Sequence, residues 1–184
     1  MPSVIYEMSV STDGYVAGPD GTFDWAMPDE ELHRFHNDQA RALAGHLLGR
    51  RLYEVMRYWD AADDPSAVSR DFAAIWQALP KVVLSRTLEA VEGSNVRLAR
   101  TDLPTALADL RAQVDGDVAI GGADLAGEAL RLGLVDEVRL FTYPVAVGGG
   151  TPFFPRDLRV DLELAEARTF GSRVTFSRYR VAGR

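Results

Sequence analysis

The sequence predicts an α/β domain of three layers, a mostly parallel central sheet with antiparallel strands at its C-terminal edge. Three observations carry that class. Strand and helix patterns alternate along most of the chain, which implies parallel strands covered on both faces. The C-terminal end is strand-rich, which implies antiparallel pairing there. Several apolar runs stop at glycine or arginine just where a helical period begins, as strand-to-helix turns do.

The elements follow in order. "SVIYEMSVS", residues 3–11, reads as a strand, and "DGYVAGPDGTFDW", residues 13–25, as a long mobile loop with a Pro-Asp-Gly turn signal. "PDEELHRFHNDQARAL" is helical, with acids in its first turn and Leu32, Phe35 and His36 sharing a face. "GHLLG" is a short buried strand, and a helix starts near Arg50. Phe72, Ile75, Trp76 and Leu79 mark a second helix, and "KVVLSRT" a strand that exits into Ser85, Arg86 and Thr87. Leu103, Leu107, Leu110 and Val114 mark another helix. The strand "DVAIGG" then leads into a helix with Leu125, Ala129 and Leu132 on one side. "LVDEVRLFTYPVAV" reads as one long strand, followed by "GGGTPFF" and two strands ending in "RVTFSRYRV".

Composition bounds the function. With 184 residues the chain suits one domain, residues 1–184, and 47% hydrophobic with 26% charged residues is ordinary globular composition. A net charge of -7 argues against nucleic-acid or anionic-membrane partners, which need a positive field. No apolar run reaches membrane-spanning length and no basic-then-apolar leader opens the chain, so a cytoplasmic protein is expected. Zero cysteines exclude disulfides and thiolate metal sites.

In such sheets ligands bind at the ends of parallel strands, where helix N-termini offer N–H donors and a positive dipole end. Three junctions have suitable chemistry. Gly121-Gly122 precedes a helix at Ala123, so bare backbone there suits a pyrophosphate, although Gly-Gly alone marks a turn more often. The pattern is not G-x-G-x-x-G. Gly49 precedes a helix with Arg50 and Arg51 in its first turn, where cations are unfavourable unless an anion is bound; solvated surface arginines are the alternative. "VVLSRT" offers two hydroxyls and the Arg86 guanidinium, apt for a ribose 2′-phosphate, with no acid in the turn.

Together these stretches resemble the dihydrofolate reductase-like superfamily, in the branch of the riboflavin-biosynthesis pyrimidine reductase domain. "MSVSTDGYVAGPDG" looks like the first strand and Ser-x-Asp-Gly-x-x-Ala segment, and "GRRLYE" is similar to Gly-Arg-x-Thr-Tyr-Glu. "VVLSRT" resembles the following strand, "IGGADLAGEAL" the Gly-Gly phosphate loop, and "VDEVRLFTYPVAVGGGTPFF" the late strand and glycine turn. The resemblance implies a dihydrofolate reductase-like fold and an NADPH-dependent oxidoreductase, often a homodimer, that reduces a small pteridine-like or pyrimidine-like heterocycle. It also implies that Gly49, Arg50 and Arg51 meet NADPH phosphates and that Ser85, Arg86 and Thr87 surround the 2′-phosphate. Gly121, Gly122, Ala123, Asp124 and Leu125 would line the pyrophosphate and nicotinamide side, with Val16 and Ala17 against the nicotinamide ring. Leu52 stands where that motif has threonine, which removes one phosphate hydrogen bond worth ~1.5–3 kcal/mol. Such reductases are commonly fused to a zinc deaminase with a P-C-x-x-C signature; this chain has no cysteine.

A reductase must also supply a proton, and a carboxyl in an apolar pocket with a raised pKa does that near neutral pH. Asp13, matching the Ser-x-Asp-Gly aspartate, and Glu31, on the following helix, are the catalytic candidates; a turn former and a dipole-favouring first-turn acid are their structural alternatives. Trp25 is a candidate wall for a flat substrate, or else a core aromatic. His33 and His36 form an H-x-x-H pair, but a metal site needs further ligands and none is expected. Asp136 and Glu137, adjacent on a strand, point to opposite faces and make no acid/base dyad. The competing readings are a non-catalytic small-molecule or nucleotide binder on the same scaffold, kept open by Leu52, and a structural dimer through the C-terminal strands.

Overall fold

The computed structural model describes residues 2–183. Strand β1 (Val4–Ser11) alternates cleanly: Val4, Tyr6 and Val10 face one core, while Ile5, Glu7, Ser9 and Ser11 face the other way. Short β2 (Tyr15–Ala17) interrupts the stretch expected as a loop. Helix α1 (Glu30–Arg41) starts at Asp29, whose carboxylate accepts from Leu32 N–H at 2.9 Å, and carries Glu30 and Glu31 in its first turn and Arg41 in its last. That charge order complements the helix dipole. Then come β3 (Gly45–Gly49), the seven-residue α2 (Arg50–Met56), a 3₁₀ turn at Arg57–Asp60 and α3 (Ala67–Ala78). The second half holds β4 (Lys81–Leu84), β5 (Val96–Ala99), α4 (Leu103–Arg111), β6 (Val118–Gly121), α5 (Ala123–Arg131), β7 (Glu137–Tyr143), β8 (Thr151–Pro152), β9 (Leu162–Thr169) and β10 (Thr175–Val181).

One sheet of eight strands runs in the order β5-β4-β3-β6-β1-β7-β10-β9, and β2 pairs with β8 in a second, two-stranded sheet. The six strands from β5 to β7 are parallel, and β10 pairs antiparallel with both β7 and β9. The mostly parallel sheet with an antiparallel edge is therefore as the sequence predicts.

Helices α4 and α5 cover one face, with Leu103, Leu107, Leu110 and Ala129 buried there. On the other face α1 packs Leu32 and Phe35 against Phe141, Phe170 and Phe176, and Trp76 of α3 lies with Leu48 and Val83.

Four details differ from the sequence reading. β7 ends at Tyr143 because Pro144 has no N–H to continue a ladder. β4 ends at Leu84, and no helix follows it: the chain loops to β5, a short strand with Arg97 inside it that the apolar pattern hid. Leu132 caps the end of α5 and is exposed, not packed with Leu125 and Ala129. Val114 lies beyond the end of α4 but still packs on the core.

Candidate active site

Parallel pairing puts the C-terminal ends of β4, β3, β6 and β1 along one sheet edge, in register at Gly49↔Leu84 and Leu48↔Gly121. The two glycine junctions are therefore neighbours. Gly122 adopts φ +99, a left-handed conformation that side chains disfavour. A Cβ placed there would sit 3.7 Å from Gly49 Cα. A Cβ on Gly121 would collide with Leu52 and stand 2.7 Å from His46 Nε2. No side chain caps α5, so the N–H groups of Ala123, Asp124 and Leu125 face outward at the edge. Gly49 likewise starts α2 with no side-chain cap. Seven residues make a weak dipole, so the anion-binding argument rests on α5. Arg51 Nη1 lies 3.5 Å from Asp124 Oδ2, and Arg50 Nε 3.8 Å from Glu54; these exposed, loose pairs leave both guanidinium groups available to an anion.

The third junction is corrected in two respects. It is not a strand-to-helix turn, so no helix dipole serves it. Ser85 Oγ accepts from Thr87 and Leu88 N–H at 3.2 and 3.1 Å, which commits that hydroxyl to shaping the turn. Arg86 and Thr87 are exposed. The turn itself holds no acid, as expected; Asp102, the cap of α4 outside it, has a carboxyl held low chiefly by hydrogen bonds from Thr105 and in smaller part by Arg86.

Asp13 is not the raised-pKa acid that a proton donor requires. Its carboxylate takes Ser11 Oγ at 2.7 Å, Val147 N–H at 3.0 Å and Gly148 N–H at 2.7 Å, and these bonds push its pKa down. It ties the glycine loop to the late glycine turn, where Gly150 at φ +116 has no room for a Cβ beside the Ala17 carbonyl. Glu31 is also displaced from the expected role. It bonds Arg168 and the Gly171 N–H, both at 3.1 Å, outside the cavity described next. Trp25 packs edge-on against Tyr143 at 5.7 Å, and the neighbouring Phe23 and Ala26 line the cavity instead.

Beside the glycine edge a cavity of about 330 Å³ opens between the sheet, α1 and α3. Its floor is Ile5, Glu7 and Ser9 of β1 with Phe141 of β7; His33, His36 and Ala40 of α1 form the roof; Trp59, Phe72 and Trp76 form the far wall. Val16 and Leu52 line it too, and Leu52 touches Gly121, so the cavity and the glycine edge share a wall.

Glu7 is the residue the sequence reading missed. Burial pushes its carboxyl up to about 7, opposed by Arg139 and aided by Glu137. The available signal was a charged residue mid-way along a strand that parallel neighbours enclose on both sides, where continuous apolar residues are the rule. Burial pushes His36 and His46 down to about 4 and lowers His33. His36 lies against the Phe141 ring at 3.9 Å. Among the described residues no group of three or more His, Asp or Glu is arranged to hold a metal. No helix there is long and apolar enough to cross a membrane.

The edge suits a dinucleotide by its donor set: uncapped α5 amides, a close glycine pair and exposed Arg50, Arg51 and Arg86. Comparisons with known proteins agree on the fold. YyaP of Bacillus subtilis (strain 168) is 26% identical over 173 residues, covering 93% of this chain and 90% of its own. A protein assigned to riboflavin biosynthesis from Shewanella sp. PV-4 superposes with TM-score 0.77 at 23% identity, covering 97% of this chain and 98% of that one. The Thermotoga maritima diaminohydroxyphosphoribosylaminopyrimidine deaminase/5-amino-6-(5-phosphoribosylamino)uracil reductase gives 0.71 at 15% identity over 98% of this chain but 57% of that longer one. Dihydrofolate reductase from Enterococcus faecalis, complexed with NADP(H), gives 0.64 at 18% identity, covering 98% and 96%. The profile of the RibD C-terminal domain matches residues 2–176. With that match over nearly its whole length, on a dihydrofolate reductase-like fold, the chain belongs to the RibD C-terminal domain family.

Proposed function

We propose that this chain is an NADPH-dependent reductase of a small heterocycle. The observation that carries the reading is the shared wall: Leu52 touches Gly121 at the dinucleotide-ready edge and lines the cavity on its other side. When bound, the cofactor supplies a hydride; the chain's own work is to orient, exclude water and move a proton. The α5 amides and Gly121-Gly122 hold the pyrophosphate, with Arg50 and Arg51 flanking it. Arg86 and Thr87 meet the 2′-phosphate, and Ser85 keeps their turn in shape. Val16 and Ala17 abut the ring, Asp13 fixes the loop that carries them, and the apolar walls exclude water. Glu7, with its carboxyl near 7, holds the transferable proton at a carboxyl oxygen. The relatives' names support the class: a reductase in the Thermotoga protein and NADP(H) in the Enterococcus one.

Calorimetric titration with NADPH and NADH tests it. Micromolar NADPH binding is expected, with NADH much weaker, and Arg86→Ala weakens NADPH by about tenfold or more while leaving NADH alone. Equal affinities for the two cofactors would remove the 2′-phosphate assignment, and an empty site at millimolar NADPH would remove the reductase. We also propose a cytoplasmic homodimer; its pairing is supported by edge strand β9, exposed from Glu163 to Thr169 with Leu164 among its exposed residues, and light scattering reads the oligomeric state.

A second reading, a non-catalytic binder, is favoured by Leu52, an apolar residue lining the cavity at the position where the resembled motif has threonine. It predicts no thermal shift with NADPH but stabilisation by another small molecule.

A further inference from the structure

We propose that the cavity takes a flat, phosphate-free nitrogen heterocycle whose ring N–H faces the Glu7 carboxyl. The proposal rests on the reductase reading for treating this cavity as the substrate pocket. Glu7 is the one charged side chain among the described residues that line it. Burial disfavours the charged form of each of the three lining histidines. No lysine or arginine is among the described residues that line the interior.

The nearest guanidinium is already committed. Arg139 gives Nε to Glu137 Oε1 at 2.6 Å and Nη1 to Gln39 Oε1 at 2.8 Å. Its approach to Glu7 Oε2 is longer, at 3.6 Å, and its side chain is buried beside the strand, not projected into the cavity. An anion carried inside would lose its hydration, gain no counter-charge and meet Glu7. Burying an unpaired charge that way is prohibitive. The phosphoribosyl group in the name of the Thermotoga reductase's substrate would meet no lysine or arginine side chain inside this cavity.

The remaining chemistry selects in the opposite direction. Trp59, Phe72, Trp76 and Phe141 offer aromatic surface for a flat ring, and about 330 Å³ accommodates a bicyclic one. The Glu7 carboxyl on the floor is a hydrogen-bond acceptor that a ring N–H satisfies and that a ring without one leaves unpaired. A site built around such a polar group discriminates strongly against ligands that lack the partner.

Calorimetry on the full chain tests this with benzimidazole, which has a ring N–H, benzofuran, which has the same shape without one, and the pair uridine and uridine monophosphate. Benzimidazole is expected to bind at least about tenfold more tightly than benzofuran, and uridine monophosphate no more tightly than uridine. Glu7→Met should erase the benzimidazole preference, with its circular dichroism confirming the fold; Glu7→Gln, which keeps an acceptor oxygen, should retain part of it. Tighter binding of uridine monophosphate, a preference that survives Glu7→Met, or no benzimidazole binding at millimolar concentration would each overturn the proposal. NADPH titration of the same samples keeps the two readings apart: loss of cofactor binding sinks the reductase, whereas phosphate preference with NADPH bound sinks only this substrate class.

Discussion

Arg139 sits between two carboxylates and favours one: its Nε is 2.6 Å from Glu137, while its Nη1 is 3.6 Å from Glu7. Because β1 and β7 pair with Glu7 directly opposite Arg139, the strand register sets this geometry. Arg178 completes the row at 4.0 Å from Glu137 and 3.3 Å from Glu166. Glu7 is thus the more loosely held of the two carboxylates that Arg139 meets, and it lines the cavity.

Removing the guanidinium strands two carboxylates in a buried setting. Arg139→Met should destabilise the protein by about 3–5 kcal/mol in urea unfolding. A loss below about 1 kcal/mol would mean that water reaches this row of charges.

The pH profile of stability carries a Glu7 signature. Its folded pKa, about 7, lies above the ordinary 4.5, so the native state binds the extra proton between those values. The stability it contributes is whole below about pH 4.5 and is lost as pH rises to 7. Glu7→Gln mimics the protonated form, so the melting temperature of the variant should gain on the parent progressively across that window. Parallel profiles would show that Glu7 is ordinarily solvated.

His36 and His46 act with the opposite sign. Their folded values, about 4, lie below the ordinary 6.5, so their contribution is whole above pH 6.5 and lost as pH falls towards 4. In a Glu7→Gln background, His36→Leu should flatten the acid-side loss of melting temperature, whereas an unchanged slope would mean that His36 titrates normally.

Gly150→Ala should be far more damaging than Gly14→Ala, although both glycines have positive φ. A Cβ at Gly14 meets nothing within 4 Å and costs only the backbone strain, about 1–2 kcal/mol, whereas one at Gly150 strikes the Ala17 carbonyl and forces β8 off β2. Hydrogen exchange at Tyr15–Ala17 should rise in the Gly150 variant alone.

Much of this is legible in the sequence. Asp29 before Glu30 and Glu31, the run Gly45–Gly49 and the doublet Gly121-Gly122 each put a local physical preference where the fold uses it. β5 was hidden because four residues with an arginine among them make no alternating pattern strong enough to see. Asp13, Glu31 and Trp25 are candidates by chemistry and motif, which do not say where a side chain ends up. Asp13 is consumed by backbone amides of Val147 and Gly148, 134 and 135 residues away, and Glu31 by Arg168, 137 residues away. Glu7 escaped because the charged groups around it, Arg139 and Glu137, come from β7, far along the chain, and burial, not spacing, gives it its chemistry.

The central place of β1 bears on how the molecule is made. Its partners lie far along the chain: Val4 aligns with Val118 and Ile5 with Glu137, so this strand waits for more than a hundred further residues before either neighbour exists. Closing such large loops precedes any reward from pairing, which sets mixed α/β chains of this kind among the slower folders. Deleting β1 would therefore remove the middle of the sheet, not its fringe, and leave two halves with no seam.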